Sequence, residues 1–169
     1  MKIGISGARG AFSEEAARTY ADKEGLEIEL EYLVSVEAVL SALEEGRVET
    51  GIFPIENSNG GIVIEAVHAM AAHRFKVQKM FEIDVHQNLL VKKGINAEQI
   101  SMITSHDQAL KQCRMYLKRK WPGVDIEEYV DTAKAAADLA AGVLSDNTAV
   151  IASRIAAEIY GLEILDESI

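Results

Sequence analysis

The sequence predicts an α/β protein with largely parallel sheet, and three observations carry that expectation. Short apolar runs alternate with segments whose apolar residues recur near every 3.6 positions. Capping residues (Ser, Asp, Asn) stand where those runs hand over to the periodic segments. No internal repeat and no low-complexity tract interrupts the alternation.

Along the chain, the first strand is expected over Lys2–Ser6. The turn Gly7-Ala8-Arg9-Gly10-Ala11-Phe12-Ser13-Glu14-Glu15 follows, with Ser13 placed as N-cap and the acidic pair in the first helical turn, where the helix dipole favours it. A strand over Glu27–Leu33 precedes a helix that carries Val36, Val39, Leu40 and Leu43 on one face. The strand Thr50–Ile55 runs into Glu56-Asn57-Ser58-Asn59-Gly60-Gly61, and the next helix aligns Val63, Val67, Met70 and Ala71.

A long strand is expected within Gln78–Val91. It contains Glu82, Asp84, His86, Gln87 and Asn88, so it reads as a segment crossing between two lobes, a hinge. The strand Ile100–Thr104 leads to Ser105-His106-Asp107-Gln108-Ala109-Leu110 and to a helix with Leu110, Cys113 and Leu117 inward, stopped before Trp121-Pro122-Gly123. The strand Ile126–Val130 leads to Asp131-Thr132-Ala133 and a helix whose stripe of Ala133, Ala136, Ala137 and Ala140 implies close packing on the sheet. Thr148–Ala152 is the last expected strand.

With 169 residues the chain has the size of one domain, or of two small lobes sharing a cleft. Half apolar, a quarter charged and with mean hydropathy +0.03, it is expected to fold as an ordinary soluble protein. The net charge is −10, and the short Lys118-Arg119-Lys120 run is its densest basic stretch, so a nucleic-acid partner is not expected. No run approaches the roughly 18 to 20 apolar residues of a membrane span, and Met1–Ser6 is too short for a signal peptide, so the expected location is cytoplasmic. Cys113 is the single cysteine, and His68, His73, His86 and His106 include no helical i, i+4 pair, so no metal site is expected.

The strand-to-helix junctions share one chemistry. Each offers a capping side chain and backbone N–H groups without intrahelical partners, and together they suit a small polyanion without an excess of Lys or Arg. The structural alternative is that these residues only cap helices, as they do throughout α/β proteins. Gly7-x-x-Gly10 is neither a dinucleotide fingerprint nor a P-loop. Ser105 beside His106 does not make a hydrolase dyad, since adjacent residues at a helix start diverge by about a hundred degrees and Gly-x-Ser-x-Gly is absent.

Taken in order, these segments resemble the prephenate dehydratase family. Its Gly-Pro-x-Gly-Thr-Phe-Ser turn corresponds to Gly7–Ser13, and its Pro-Ile-Glu-Asn-Ser segment to Pro54–Ser58. Its Ser-His-Pro-Gln-Ala-Leu with downstream Gln-Cys corresponds to Ser105–Leu110 with Gln112-Cys113, and its Ser-Thr-Ala to Asp131–Ala133. The resemblance implies a two-lobed fold like that of type II periplasmic binding proteins, with a cleft between the lobes. One lobe is expected to comprise residues 1–78 and 162–169, the other 79–161. It implies conversion of prephenate, a small dicarboxylate, to phenylpyruvate with loss of water and carbon dioxide in phenylalanine biosynthesis. No cofactor is implied.

Under this resemblance Asn57, Ser105 and Gln108 are the catalytic candidates, and Glu56, Ser58, His106, Thr132, Arg9 and Ser13 the substrate-binding ones. Ser105 and Thr132 would bind carboxylates, Asn57 and Gln108 would orient the ring and its hydroxyl, and Arg9 offers a cationic contact. Ala8, Ala11, Asp107 and Asp131 depart from the family's Pro, Thr, Pro and Ser, and Asp131 would repel an anion unless turned away as a cap.

The sequence ends at Leu165-Asp166-Glu167-Ser168-Ile169, where family members continue into Asn-x-Thr-Arg-Phe, whose threonine is the family's acid or hydrogen-bond donor, and many into an ACT domain. Two expectations follow: a longer natural chain, or a shortened relative with altered or no dehydratase activity. A prephenate decarboxylase that does not aromatise, and a non-catalytic module that binds small anions, are the other functional readings. Self-association of family members and the apolar content together allow a homodimer.

Overall fold

The computed structural model describes residues 1–58 and 60–169, and the chain divides into two units, Met1–Asp84 and Val85–Ile169.

The first unit is built on β1 (Lys2–Ile5), α1 (Phe12–Glu24), β2 (Glu29–Tyr32), α2 (Val36–Glu44) and β3 (Thr50–Ile52). Its sheet has the order β2-β1-β3, all parallel, with Ile3 in register between Leu30 and Thr50. Alternation along β1 sends Ile3 and Ile5 to a wholly buried cluster with Ala17 of α1. Gly4 faces the other way, towards Leu33 and Val48. On β3, Gly51 admits α2 closely: a Cβ there would lie 2.6 Å from Cγ1 of Val39, a side chain stiff at χ1.

The Ser35 hydroxyl caps α2, accepting the Ala38 N–H at 3.1 Å, and the expected face is buried at Val36, Val39 and Leu40. Strand β3 stops at Ile52, three residues short of expectation, because Pro54 brings no N–H to a ladder. Phe53 and Ile55 instead anchor in a cluster with Leu40 and Ala66. A two-residue hairpin follows, β4 (Glu56–Asn57) with β5 (Gly61–Ile62), and then α3 (Ile64–Ala72). The face expected for α3 is corrected: Ala66 and Ala69 are buried while Val67 is 46% exposed. The alanines let α3 approach α2 closely, which turns the bulkier Val67 outward.

His73 pins the end of α3 to α2. Its Nε2 lies 2.7 Å from Glu37 Oε1 and its Nδ1 3.0 Å from Glu44 Oε2, while the Arg74 N–H donates to Glu44 at 2.8 Å. Carboxylates only accept, so this arrangement favours the imidazolium, in which both ring nitrogens donate. Glu37 first and Glu44 second hold the His73 pKa above its ordinary value. A raised folded-state pKa gives stabilisation that is complete below about pH 6.5 and is lost as pH rises through the folded value. Denaturant melts of the wild type and of His73→Ala are therefore expected to differ more at pH 6 than at pH 9. A gap that ignores pH would make His73 a packing residue only.

The second unit contains β6 (Asn88–Val91), a 3-10 turn (Ala97–Gln99), β7 (Met102–Ser105), α4 (Asp107–Gln112), α5 (Arg114–Lys120) and β8 (Asp125–Glu128). It continues with α6 (Thr132–Ala140), β9 (Thr148–Ala152), α7 (Arg154–Tyr160) and β10 (Glu163–Asp166). The sheet order is β10-β6-β9-β7-β8, with β7 parallel to both β8 and β9, and β6 antiparallel to β9 and β10. The period of two divides its core. Leu89, Val91, Ala149 and Ile151 face Ala109, Cys113 and Leu117 of the α4–α5 side. Leu90, Val150 and Ala152 face Ala135, Ala136, Leu139, Ala156 and Ala157 of α6 and α7. The expected alanine packing holds, though Ala135 is buried while Ala137 and Ala140 are only half-buried.

Three expectations are corrected here. The long strand within Gln78–Val91 shrinks to Asn88–Val91, and residues 74–87 carry no regular structure. The single helix after His106 is two, α4 and α5, parted at Cys113, whose ψ of 6° is not helical. The lobe boundaries also move. The Tyr20 and Phe81 rings stack 5.8 Å apart and Lys79 pairs with Glu24, keeping 79–84 in the first unit. Residues 162–169 lie in the second, because β10 pairs with β6. Cys113 is buried, and burial pushes its thiol up to about 11. Among the described residues no helix is long and apolar enough to cross a membrane.

Candidate active site

Parallel strands end on one edge, so Ser105 of β7, Glu128 of β8 and Ala152 of β9 share the carboxyl edge of the second unit's sheet with the starts of α4, α6 and α7. Sequence-singled residues Ser105, His106, Gln108 and Thr132 thus come to one edge.

Ser105 is not a helix cap. It continues β7 one residue beyond expectation, pairs in register with Glu128, and its carbonyl accepts the Tyr129 N–H at 2.8 Å. Wholly buried, its hydroxyl donates to the Ile151 carbonyl at 2.6 Å. The cap of α4 is His106, whose Nδ1 accepts the Gln108 N–H at 3.3 Å. Gln108 itself is exposed, and its side-chain amide makes no hydrogen bond among the described residues. Asp107, where the family has Pro, is held by Lys111 at 2.6 Å.

Thr132 is the first residue of α6 and half-buried. The preceding Asp131 is the helix cap, its Oδ1 accepting the Lys134 N–H at 2.8 Å. That carboxylate is therefore engaged by its own helix, the condition under which it tolerates a neighbouring anion. Further into α6, Lys134 and Tyr129 hold the Asp138 carboxyl below its usual range.

The same edge holds polar residues that the sequence reading passed over. Asn88 is buried: its Nδ2 donates to the carbonyls of His86 at 2.9 Å and Ala152 at 3.4 Å, and its Oδ1 accepts the Ser168 N–H at 3.3 Å. Ser168, at φ +50°, brings its hydroxyl within 3.3 Å of His86 Nδ1. Ser153 caps α7 through the Ala156 N–H at 3.0 Å. Its place after an apolar strand was a signal present in the sequence. Asn88 gave none, since its partners are remote in the chain.

In the first unit the turn Gly7–Ser13 follows β1. Gly7 has φ +151°, and a Cβ there would meet that of Ala11 at 2.9 Å, so only glycine makes this turn. The expected Ser13 cap is corrected: α1 starts at Phe12 behind Ala11, and Ser13 lies inside the helix, its hydroxyl donating to the Ser6 carbonyl at 2.6 Å. Arg9 is exposed. In the hairpin after β3, Asn57 is half-buried and its Oδ1 accepts the Gly60 N–H at 3.1 Å, an Asx-type turn, while Glu56 and Ser58 are exposed. Asn59 lies outside the described residues.

The prephenate dehydratase family matches residues 3–169. The chain is 34% identical over 170 residues to arogenate dehydratase 5, chloroplastic, of Arabidopsis thaliana, covering 100% of this chain and 39% of that protein. It thus spans about two-fifths of the length of such curated relatives. The structure of a prephenate dehydratase from Arthrobacter aurescens in complex with L-Phe superposes with TM-score 0.82 at 24% identity, over 100% of this chain and 55% of that one. A periplasmic substrate-binding protein from Coxiella burnetii is similar in fold, with TM-score 0.51 at 16% identity over 100% and 78% of the two chains. These two likenesses place the fold in the class expected from the sequence. With the family matched over nearly its whole length, the chain belongs to the prephenate dehydratase family.

Proposed function

We propose that this chain carries the dehydratase chemistry of its family on prephenate, as a carbon–oxygen lyase that needs no cofactor. The observation that supports it is the convergence of Ser105, His106, Gln108 and Thr132 on one sheet edge, with the Gln108 amide claimed by no other group among the described residues.

In this reading the Thr132 hydroxyl and the N–H groups at the start of α6 receive a substrate carboxylate. Ser13, whose proton goes to the Ser6 carbonyl, supports the Gly7–Ser13 turn and presents lone pairs only. Gln108 donates to the ring hydroxyl and orients it. The bond from the ring to its carboxylate breaks and carbon dioxide leaves. Those electrons enter the ring, the C4–O bond breaks, and the departing oxygen takes up a proton and leaves as water. Aromatisation drives the step. Ser105, whose proton goes to the Ile151 carbonyl, supports the edge and presents lone pairs only.

A second reading, dehydration of arogenate, is favoured by the name of the 34% identical relative. Both substrates share the reacting ring and differ at the side chain, keto acid against amino acid. Incubation with each, followed by detection of phenylpyruvate or phenylalanine, distinguishes them. Carbon dioxide without an aromatic product would replace the dehydratase by a decarboxylase, and binding without turnover would leave an anion-binding module.

A further inference from the structure

The outer side of α4 and α5 carries a groove that the candidate active site does not use. Its volume is about 460 Å³, within the range of small-molecule sites, and Leu117, Trp121, Val124 and Ile126 supply its apolar lining. All of its residues fall between 110 and 126, inside the second unit. Trp121 to Val124 lead into Asp125, which pairs with Met102 at the start of β7, so the groove reaches the amino edge of the sheet. The candidate active site occupies the carboxyl edge.

The apolar lining is anchored in the core. Leu117 is buried in the cluster against which Trp121 and Val124 pack, and Ile126 of the edge strand β8 is 47% exposed. Trp121 is half-buried, and its indole N–H donates to the Tyr116 hydroxyl at 3.0 Å. With that polar atom satisfied, what Trp121 offers the groove is apolar ring.

Three cations line the same groove, Lys111, Arg114 and Lys118, in a chain of net charge −10. Lys111 is held by Asp107 at 2.6 Å. Arg114 and Lys118 are exposed, and among the described residues neither makes an ion pair or a hydrogen bond. They stand four positions apart on α5, where like charges repel across one helical turn. Lys118 by itself suits the last turn, but Arg114 is the first residue of α5, at the end where the helix dipole disfavours a cation. The pair therefore does little for the helix and suits an anion lying across the turn.

We propose that this groove binds a small apolar carboxylate, its chain or ring against Leu117, Trp121, Val124 and Ile126 and its carboxylate between Arg114 and Lys118. The ligand class follows from the two halves of the site. A neutral apolar molecule leaves both cations unused, and a dicarboxylate brings a second charge against apolar side chains. The inference is independent of the reaction proposed for the carboxyl edge.

Trp121 is the only tryptophan, so its fluorescence reports this groove alone. Decanoate and 3-phenylpropanoate are each expected to change that emission saturably, with Kd on the order of 0.1 to 1 mM. The tighter of the two shows whether the site prefers a chain or a ring. The double variant Arg114→Gln/Lys118→Gln, at two exposed positions, is expected to keep its Tm and to bind decanoate at least about 10-fold more weakly. Decylammonium, with the same chain and the opposite charge, is expected to bind the wild type at least about 10-fold more weakly than decanoate. Equal binding of the two decyl probes, an unchanged Kd in the double variant, or a response that never saturates overturns the proposal. So does sedimentation that shows a dimeric wild type and a monomeric double variant, since the groove would then belong to a second copy of the chain.

Discussion

Replacing Gln108 by alanine is expected to lower the turnover of prephenate by about 100-fold while moving Tm by no more than about 1 °C. Gln108 is exposed in the first turn of α4, and its amide makes no hydrogen bond among the described residues, so nothing in the fold pays for its removal. In the proposed reaction the same amide donates to the oxygen that departs, an interaction that strengthens as charge builds there. Steady-state kinetics alongside a thermal melt tests both halves. A lowered Tm with activity retained would show the residue supporting α4 and nothing else. Asn57 makes a weaker test, because its Oδ1 also closes the hairpin turn onto Gly60, so its loss mixes turn and site effects.

The largest effect on stability is expected at Leu89. It is wholly buried in the second of the five strands, in register with Ile151 of β9 and with Asp166 of β10, and it packs among Val91, Ile103, Cys113 and Leu117. Leu89→Ala removes apolar area and leaves a space that flanking strands on both sides prevent from closing, at a cost of about 2 to 5 kcal/mol. For a unit of this size that is a fall in Tm of roughly 10 °C or more. Leu110, only half-buried at the rim of the same cluster, should cost far less as alanine. Urea melts of the two variants compare them directly. Equal small losses would mean that this core is loosely packed around β6.

Particular residues show why some of this was legible in the sequence. Thr148–Ala152 was read at its true length because five residues buried on both faces leave an unbroken apolar run. The hairpin of Glu56–Asn57 with Gly61–Ile62 has two residues per strand, too few to show a period, and β10 is a partly exposed edge strand whose pairing with β6 spans over seventy positions. Ser105 and Ser13 were recognised as site residues, Ser105 as a carboxylate binder and Ser13 as a cap, but neither hydroxyl faces that way. A hydroxyl next to a helix start looks the same in sequence whether it faces the first N–H groups or, as here, a carbonyl contributed by Ile151 or Ser6.

The sequence by itself determined the alternation of strands and helices, the stretches at which polar side chains cluster, and the family. These are written in local periodicity, turn chemistry and motif order, which involve residues a few positions apart. Only the tertiary structure decided that Glu14 is buried between the Gly10 N–H and Arg18, that Asn88 holds Ser168, and that 162–169 belong with the second unit. Each depends on burial and hydrogen bonding between segments far apart in the chain, and a carboxylate or an amide carries no mark in the sequence of whether water or a distant donor will satisfy it.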